Sequence, residues 1–249
     1  MLGAVCSVLL AAGPVAAECS RPEGTGATVV RAEQRNGRAI VEVTRPNSAG
    51  RKAEVEYDDE IFIGQFDDKG KAQISFALFA PTAEFVVRLT ESPPVTCKLE
   101  VPNFAKLYRV TLLWRDPVKL DLDVVEPGRR PGGFGHVNRS RPNADFAQGM
   151  GAIDIAMDAS EAGGTGEISY VVPDVAAMPP GGLLTLRVDY ASRGATPMPP
   201  YCGEHPRATV PFEVITIDRG QVKRSSYGVG RARCGEALAD GARLMRLRQ

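Results

Sequence analysis

The sequence predicts an all-β fold of two β-sandwich domains, each immunoglobulin-like or jelly-roll-like, after a cleaved signal peptide. Short runs in which apolar and polar residues alternate recur along the chain, with turn residues between them. The 249 residues include 26 Gly and 19 Pro, which suits many turns, and runs typical of helices are scarce. Frequent turns between short strands favour packed antiparallel sheets over alternating βαβ units.

The first seventeen residues are uncharged and apolar, and they end in Val15-Ala16-Ala17, a small-residue pattern typical of signal-peptidase sites. We predict that residues 1–17 are a signal peptide, cleaved after Ala17, which implies a periplasmic or secreted protein. The alternative is a buried N-terminal strand, but Gly13-Pro14 fits a signal peptide better. The stretch is too short to span a membrane and no second apolar run approaches that length, so we expect no transmembrane segment.

Removal of the leader leaves four cysteines, Cys19, Cys97, Cys202 and Cys234. An even number of cysteines in an oxidising compartment indicates disulfides. Of the three possible pairings we predict Cys19–Cys97 and Cys202–Cys234, because each then closes a loop within one predicted domain. The spacing disfavours zinc, since the chain has no C-x-x-C pair.

Residues 18–102 are predicted to form the first sandwich. Its strand-like runs are 27–33, 38–45, 60–66, 71–79, 84–90 and 96–101. Asn36-Gly37, between the first two runs, is a strong hairpin signal, and residues 67–70 are typical of a type I turn that ends in Gly. The acidic residues at 58–60 are expected to form a solvated turn.

Residues 103–106 are predicted to link to the second sandwich, residues 107–234. Its strand-like runs are 107–114, 119–126, 151–157, 167–172, 183–190, 208–218 and 221–229. Residues 218–220 are expected to form a hairpin loop between the last two runs. Residues 235–249 form a basic tail, the only helix candidate, which we expect to be a solvated end or an envelope-surface contact.

Charge and motif content argue against several functions. Lys+Arg and Asp+Glu both number 30, and binding to nucleic acid needs a basic excess, so no nucleic acid partner is expected. The two histidines, His136 and His205, have no G-x-S-x-G motif to accompany them, and all four cysteines of the mature chain are predicted to pair. We therefore expect a protein that is not an enzyme.

Residues 110–128 contain the most distinctive polar pattern of the chain. At strand period, Asp121 and Asp123 share one face and lie about 7 Å apart. Two carboxylates at that distance repel unless a cation or an arginine neutralises them. Calcium is the candidate metal, because it binds several carboxylate and carbonyl oxygens. The alternatives are ion pairs with nearby arginines, of which Arg115 is one, and a ligand or protein interface.

The same segment resembles a known family. Trp114, followed by Asp121-x-Asp123 and then Glu126-Pro127-Gly128, is similar to the tryptophan strand and D-x-D-L-x-V-x-x-P-G run of YfaP-like secreted β-sandwich domains. The resemblance covers residues 108–150. It implies an extracytoplasmic β-sandwich and no particular activity. The chain departs from the family pattern at Leu120, where an acidic residue is usual.

These observations predict an exported, non-catalytic binding or interaction protein that needs no cofactor, with calcium as a candidate stabilising ion. Its expected partner is a protein or a cell-envelope polymer. The alternative is a hydrolase that acts on envelope glycans or peptides through residues near Asp121, Asp123 and His136. That alternative requires the three side chains to meet in a cleft.

Overall fold

The structure confirms the predicted all-β fold. It is a computed structural model that describes residues 15–20, 28–116, 120–127, 134–138, 142, 151–155, 164–177, 183–190, 209–230 and 243–248. These residues form eighteen strands and two 3-10 turns, Phe104–Lys106 and Val175–Ala177, and none of them lies in an α-helix. The strands make four antiparallel sheets. Within the described part of the chain, no helix is long and apolar enough to cross a membrane.

The first nine strands form two sheets that pack face to face. They are β1 (Val15–Ala16), β2 (Glu18–Cys19), β3 (Val29–Arg35), β4 (Arg38–Thr44), β5 (Lys52–Tyr57), β6 (Glu60–Gln65), β7 (Lys71–Ala77), β8 (Thr82–Leu89) and β9 (Val95–Glu100). Sheet A has the order β1-β3-β4-β7, and sheet B has the order β2-β9-β8-β5-β6. Alternate residues of these strands are buried, so each sheet turns one face toward a shared apolar core.

The remaining nine strands form a second pair of sheets. They are β10 (Tyr108–Trp114), β11 (Leu120–Pro127), β12 (Phe134–Val137), β13 (Ala152–Ile155), β14 (Gly166–Val172), β15 (Leu183–Tyr190), β16 (Thr209–Asp218), β17 (Gln221–Gly230) and β18 (Arg243–Arg248). Sheet C has the order β13-β14-β10-β16-β17, and sheet D has the order β12-β11-β15-β18. A second apolar core joins residues of sheets C and D.

The predicted character of the tail is wrong. Residues 235–249 were the only helix candidate, yet Arg243–Arg248 forms β18 and pairs antiparallel with β15 along six residues. Strand pairing satisfies the backbone of this segment against a distant part of the chain, and local sequence pattern does not reveal such pairing. Residues Arg243–Arg248 of the tail therefore belong to sheet D.

The predicted hairpin turns at Asn36-Gly37 and at residues 218–220, and the predicted turn at residues 67–70, are confirmed. Asn36 and Gly37 both have positive φ angles, 51° and 74°, as the two-residue turn between β3 and β4 requires. The amide of Gly70 donates to the carbonyl of Asp67 at 2.9 Å in the turn before β7. Arg219 and Gly220, with φ angles of 47° and 78°, join β16 to β17.

The neighbouring strands β10 and β14 of sheet C are covered on both faces, since every one of their residues is buried. One face packs on sheet D and carries Trp114, which is 2% exposed and lies over Gly166, where a Cβ atom would approach the indole to 2.3 Å. The opposite face contributes four residues to the core of sheets A and B. They are Leu113, Val171, Ile215 and Ile217. The two pairs of sheets thus share apolar contacts, and their division into domains 18–102 and 107–234 stays a prediction.

Candidate functional site

The N-terminal segment, residues 15–20, closes one side of the first sandwich by crossing from sheet A to sheet B. Val15 and Ala16 pair with Gln34 and Glu33 of β3, and the amide of Ala17 donates to the carbonyl of Ala32 at 2.8 Å. Three residues later the amide of Ser20 donates to the carbonyl of Thr96 on β9 at 2.8 Å. The segment therefore bridges the edges of the two sheets.

The predicted Cys19–Cys97 pair fixes this crossing in place. The two sulfur atoms lie 2.06 Å apart, and the two residues are directly opposite in the β2–β9 pair. Cys97 is fully buried in the core, and the half-buried Cys19 packs against that core together with Ala17 and Val30. The bond holds β2 on sheet B independently of β1.

A groove of about 1140 Å³ lies beside this segment, and we call it the β3 groove. Thr28 and residues 29–33 of β3 line one side, and Ser92, Pro93 and Val95 line the other. Ala16, Ala17 and Cys19 also border it. Pockets for small molecules hold about 300–1000 Å³, so the β3 groove has room for a longer ligand such as a length of polymer.

Charged side chains line the outer part of the β3 groove in nearly balanced numbers. Arg31, Arg35, Glu33 and Glu42 all border it. Arg35 forms an ion pair with Glu33 at 2.7 Å, and Arg31 lies opposite Glu42 in the β3–β4 pair. Because two arginines and two glutamates border it, the groove has no strong net charge.

Asp121 and Asp123 lie on β11 as the sequence predicts, with both side chains half-buried. Asp121 accepts a hydrogen bond from the amide of Leu122 at 2.9 Å, and Asp123 accepts one from Nδ2 of Asn138 at 3.2 Å. Among the described residues no group of three or more His, Cys, Asp or Glu side chains lies close enough together to hold a metal ion. The calcium site stays a prediction.

Arg115, one candidate ion-pair partner for those aspartates, instead binds Glu60. Its Nε and Nη2 atoms donate to the two Glu60 carboxylate oxygens at 3.0 and 2.8 Å. Glu60 also accepts a hydrogen bond from the hydroxyl of Thr165 at 2.6 Å, and it is only 8% exposed. The expectation that residues 58–60 form a solvated turn is therefore wrong for Glu60, which joins sheet B to the second pair of sheets.

Glu126, part of the segment that resembles YfaP-like domains, lies in the interior of the second pair of sheets. It is fully buried, and its Oε1 atom accepts hydrogen bonds from the Tyr170 hydroxyl at 2.6 Å and the Gly151 amide at 3.2 Å. Burial is the main cause that raises the pKa of Tyr170 above its usual range, and the carboxylate of Glu126 raises it further. The phenol therefore stays protonated and acts as a hydrogen-bond donor.

Arg109 crosses the boundary between the two pairs of sheets. It is 0% exposed, and its Nη1 and Nη2 atoms donate to the carbonyls of Gly37 and Asn36 at 2.5 and 2.7 Å. Nη2 also lies 3.9 Å from the carboxylate of Asp154. Burial lowers the pKa of Arg109 to about 10, so the guanidinium remains charged at neutral pH. The β3–β4 turn is thereby held on sheet C.

Arg38 makes a second polar link across the same boundary. Its Nη1 atom lies 2.9 Å from the Asp154 carboxylate, and Nη2 lies 3.8 Å from Glu167. Its Nε atom donates to the hydroxyl of Ser75 on the neighbouring strand β7. The boundary thus contains two basic and two acidic side chains, which are Arg38, Arg109, Asp154 and Glu167. Sequence reasoning did not single out these residues, since alternation along a strand does not indicate what covers its polar face.

Glu167 accepts hydrogen bonds from both sides of the boundary. The amide of Ala77 donates to Oε2 at 3.0 Å, and the hydroxyl of Ser169 donates to Oε1 at 3.1 Å. Burial is the largest influence on the pKa of Glu167 and raises it, although Arg38, the Ala77 amide and Arg109 oppose that change. The folded protein therefore binds a proton at Glu167 more readily than the unfolded chain does.

We expect Glu167→Gln to gain stability relative to the native protein as the pH rises. Because the pKa of Glu167 is raised above 4.5, ionisation of this side chain destabilises the folded state at high pH, and this cost disappears as the pH falls through the folded-state pKa. Glutamine is always neutral and keeps an oxygen for the Ala77 amide. Urea unfolding from pH 4 to pH 8 measures the difference, with Glu84→Gln at an exposed position as the control for net charge. If the stability of Glu167→Gln relative to the native protein decreases as the pH rises, the raised pKa of Glu167 is contradicted.

Several predicted residues lie outside the described part of the chain. The predicted Cys202–Cys234 disulfide and His205 are among them. The backbone of His136 pairs with Val125 in the β11–β12 pair, but its side chain is also outside the description. The hydrolase alternative, which requires that imidazole to meet Asp121 and Asp123, therefore stays a prediction.

Comparison of the chain with protein-family models, with curated proteins and with solved structures gives no match. The resemblance to YfaP-like domains at residues 108–150 therefore stays a prediction.

Proposed function

We propose that this chain is an exported, non-catalytic binding protein that holds a protein or a cell-envelope polymer in the β3 groove. The observation that carries the proposal is the groove itself, about 1140 Å³ of space where sheets A and B meet at their edges. The disulfide Cys19–Cys97 supports it, because this covalent link holds β2 on β9 and so keeps the sheet B wall of the groove in a fixed geometry. The predicted leader supports export.

Export and leader removal are tested by cell fractionation and mass spectrometry of the protein from its source cells. The proposal expects the chain in the periplasm or the medium, with Glu18 as its first residue. A chain that stays in the cytoplasm with residues 1–17 attached would contradict the exported part of the proposal.

Binding in the β3 groove is tested by photo-crosslinking in intact cells. A photoreactive side chain replaces Arg31, which is exposed on the groove wall, and in a matched variant it replaces Val222, which is 41% exposed on β17 and does not border the groove. A crosslinked product is expected from position 31 and not from position 222. Equal yields from both positions, or no product from position 31, would contradict a binding site in the groove.

Calcium remains a candidate stabilising ion at Asp121 and Asp123. An ion that binds only the folded chain, present at about 100 times its Kd, adds about 2.7 kcal/mol to the free energy of unfolding. We therefore expect thermal melting to occur at a higher temperature in excess calcium than in chelator. The double variant Asp121→Asn, Asp123→Asn is the control and should melt identically in both. A midpoint that does not respond to calcium in the native chain would exclude the site.

A further inference from the structure

The edge of β3 that faces away from β4, which we call its outer edge, is paired along less of its length than the edge that faces β4. β4 pairs with all seven residues of β3, whereas among the described residues β1 pairs with Gln34 and Glu33 alone. Backbone groups of successive strand residues point to opposite edges, and the bond from the Ala17 amide to the Ala32 carbonyl shows which residues face outward. Ala32, Gln34 and, by the same alternation, Val30 direct their amides and carbonyls away from β4.

Cleavage after Ala17 would remove everything that covers this edge in the described part of the chain. β1 is Val15–Ala16, and the donor to Ala32 is the amide of Ala17, so all three residues belong to the predicted leader. β2 remains, because Cys19 is bonded to Cys97. As far as the described residues show, the mature chain would then have an open strand edge beside a groove whose sheet B wall is still fixed. An unpaired edge of this kind is a template for another extended chain.

We propose that the mature protein receives an extended segment of a partner polypeptide on the outer edge of β3, in the position that β1 occupies before the leader is removed. This inference rests on the proposed function and specifies its partner as a protein that adds a β-strand. In such pairing the backbone hydrogen bonds supply most of the affinity and the pockets for alternate side chains supply the selectivity. The chain's own residues 15–17 show that the edge takes an extended antiparallel strand.

The side chains around the edge define what the partner segment must carry. Ala17 and Val15 are half-buried and Ala16 is exposed, so alternate residues of the incoming strand face the core. Ala17 packs there beside Val30 and Cys19, a space that suits a small apolar side chain. The balanced charges at Arg31 and Glu42 on the outer wall do not favour a strongly acidic or basic segment. The expected segment is extended, with small apolar residues at every second position.

The experiment uses the oxidised mature chain, residues 18–249, and a synthetic peptide with the sequence of residues 11–17. Because Ala16 lies opposite Glu33, the amide of Gln34 points at Val15 in the β1–β3 pair. Hydrogen exchange at this amide should be about tenfold or more faster in the mature chain than in residues 1–249, and the peptide should slow it again. Chemical-shift changes in the NMR spectrum of the mature chain should concentrate at residues 30–34.

Two N-methylated peptides separate strand addition from general apolar binding. In the observed register the amide at the Ala17 position donates to β3, while the amide at the Ala16 position points away. Methylation at Ala17 should weaken binding about tenfold, and methylation at Ala16 should leave it unchanged. Ala32→Pro should also abolish binding, and the peptide pair decides the matter if that variant does not fold. Equal binding of both methylated peptides, or no binding of the parent peptide, would overturn the proposal.

Two further outcomes would identify a different occupant and would also overturn the proposal. If the amide of Gln34 stays protected in residues 18–249 alone, another segment of the same chain covers the edge. If that protection increases with protein concentration, a second copy does. The proposed function is judged separately, because crosslinking from position 31 in cells would still support a groove binder even if no peptide adds a strand to β3.

Discussion

Replacing Arg109 with Met is expected to lower the free energy of unfolding by about 3–5 kcal/mol, the cost of removing a fully buried charged side chain from a network in which Arg38 and Glu167 are also buried. Methionine fills similar space but donates no hydrogen bond. The carbonyls of Asn36 and Gly37 would lose their buried donor, and the carboxylates of Asp154 and Glu167 would face one positive charge instead of two. Urea unfolding of the oxidised chain, followed by the fluorescence of the buried Trp114, measures the effect.

Arg35→Met is the matched control for that substitution. Arg35 lies at the end of β3, close in sequence to the same turn, but its side chain is 62% exposed and its partner Glu33 is on the surface. An exposed ion pair contributes about 0–1 kcal/mol, so this variant should stay close to the native protein. If both variants unfold at the same urea concentration, the buried network does not hold the two pairs of sheets together.

Replacing Cys19 with Ser is expected to lower the free energy of unfolding by about 4 kcal/mol. The bond to Cys97 joins residues 78 positions apart, and a link over a loop of that length restricts the unfolded chain strongly. Cys19 is half-buried and serine is close to it in size, so most of the loss comes from the link and little from packing. Equilibrium urea unfolding of residues 18–249 at neutral pH measures the change.

A reductant provides the control for the disulfide prediction. Reduced native protein should lose at least as much stability as the Cys19→Ser variant. Any further loss when the variant itself is reduced reports on the predicted Cys202–Cys234 bond. Native protein that unfolds at the same urea concentration with and without reductant would contradict a stabilising role for the Cys19–Cys97 link.

Local pattern was sufficient to predict most strands and their turns. Asn36-Gly37 predicted its hairpin because few dipeptides adopt two consecutive left-handed conformations at low cost. β5, Lys52–Tyr57, was missed although alternate residues face inward, since Ala53 is a weak apolar signal among charged neighbours. The sequence does not predict β18 as a strand, because its pairing with β15 depends on residues more than fifty positions away.

The contacts between the two pairs of sheets could not be predicted in this way. In β10 the residues Arg109 and Thr111 alternate with apolar residues, which is typical of a strand with one face in water. In the structure both are fully buried, because the end of the first sandwich covers that face. Alternation of polar and apolar residues shows that a strand has two different faces. It does not show whether the polar face is covered by water or by another part of the protein.

The candidate site was predicted only in part. The Cys19–Cys97 pair was expected from cysteine number and position, and it is one support of the β3 groove. The groove itself joins residues near 16–20, 28–35 and 89–95, which come together only when sheets A and B pack. Asp121 and Asp123, the most distinctive polar pattern of the sequence, lie on sheet D. The groove is lined by residues of sheets A and B instead.

Because β10 and β14 are covered on both faces, the two pairs of sheets depend on each other when the protein unfolds. A truncation at residues 103–106 would uncover Leu113, Val171 and Ile217 together with the charged Arg109 and Glu167. A fragment with that surface would tend to aggregate, since apolar side chains and unpaired charges would be exposed side by side. Both halves are therefore expected to melt in one cooperative transition, with neither half persisting as a separate folding unit.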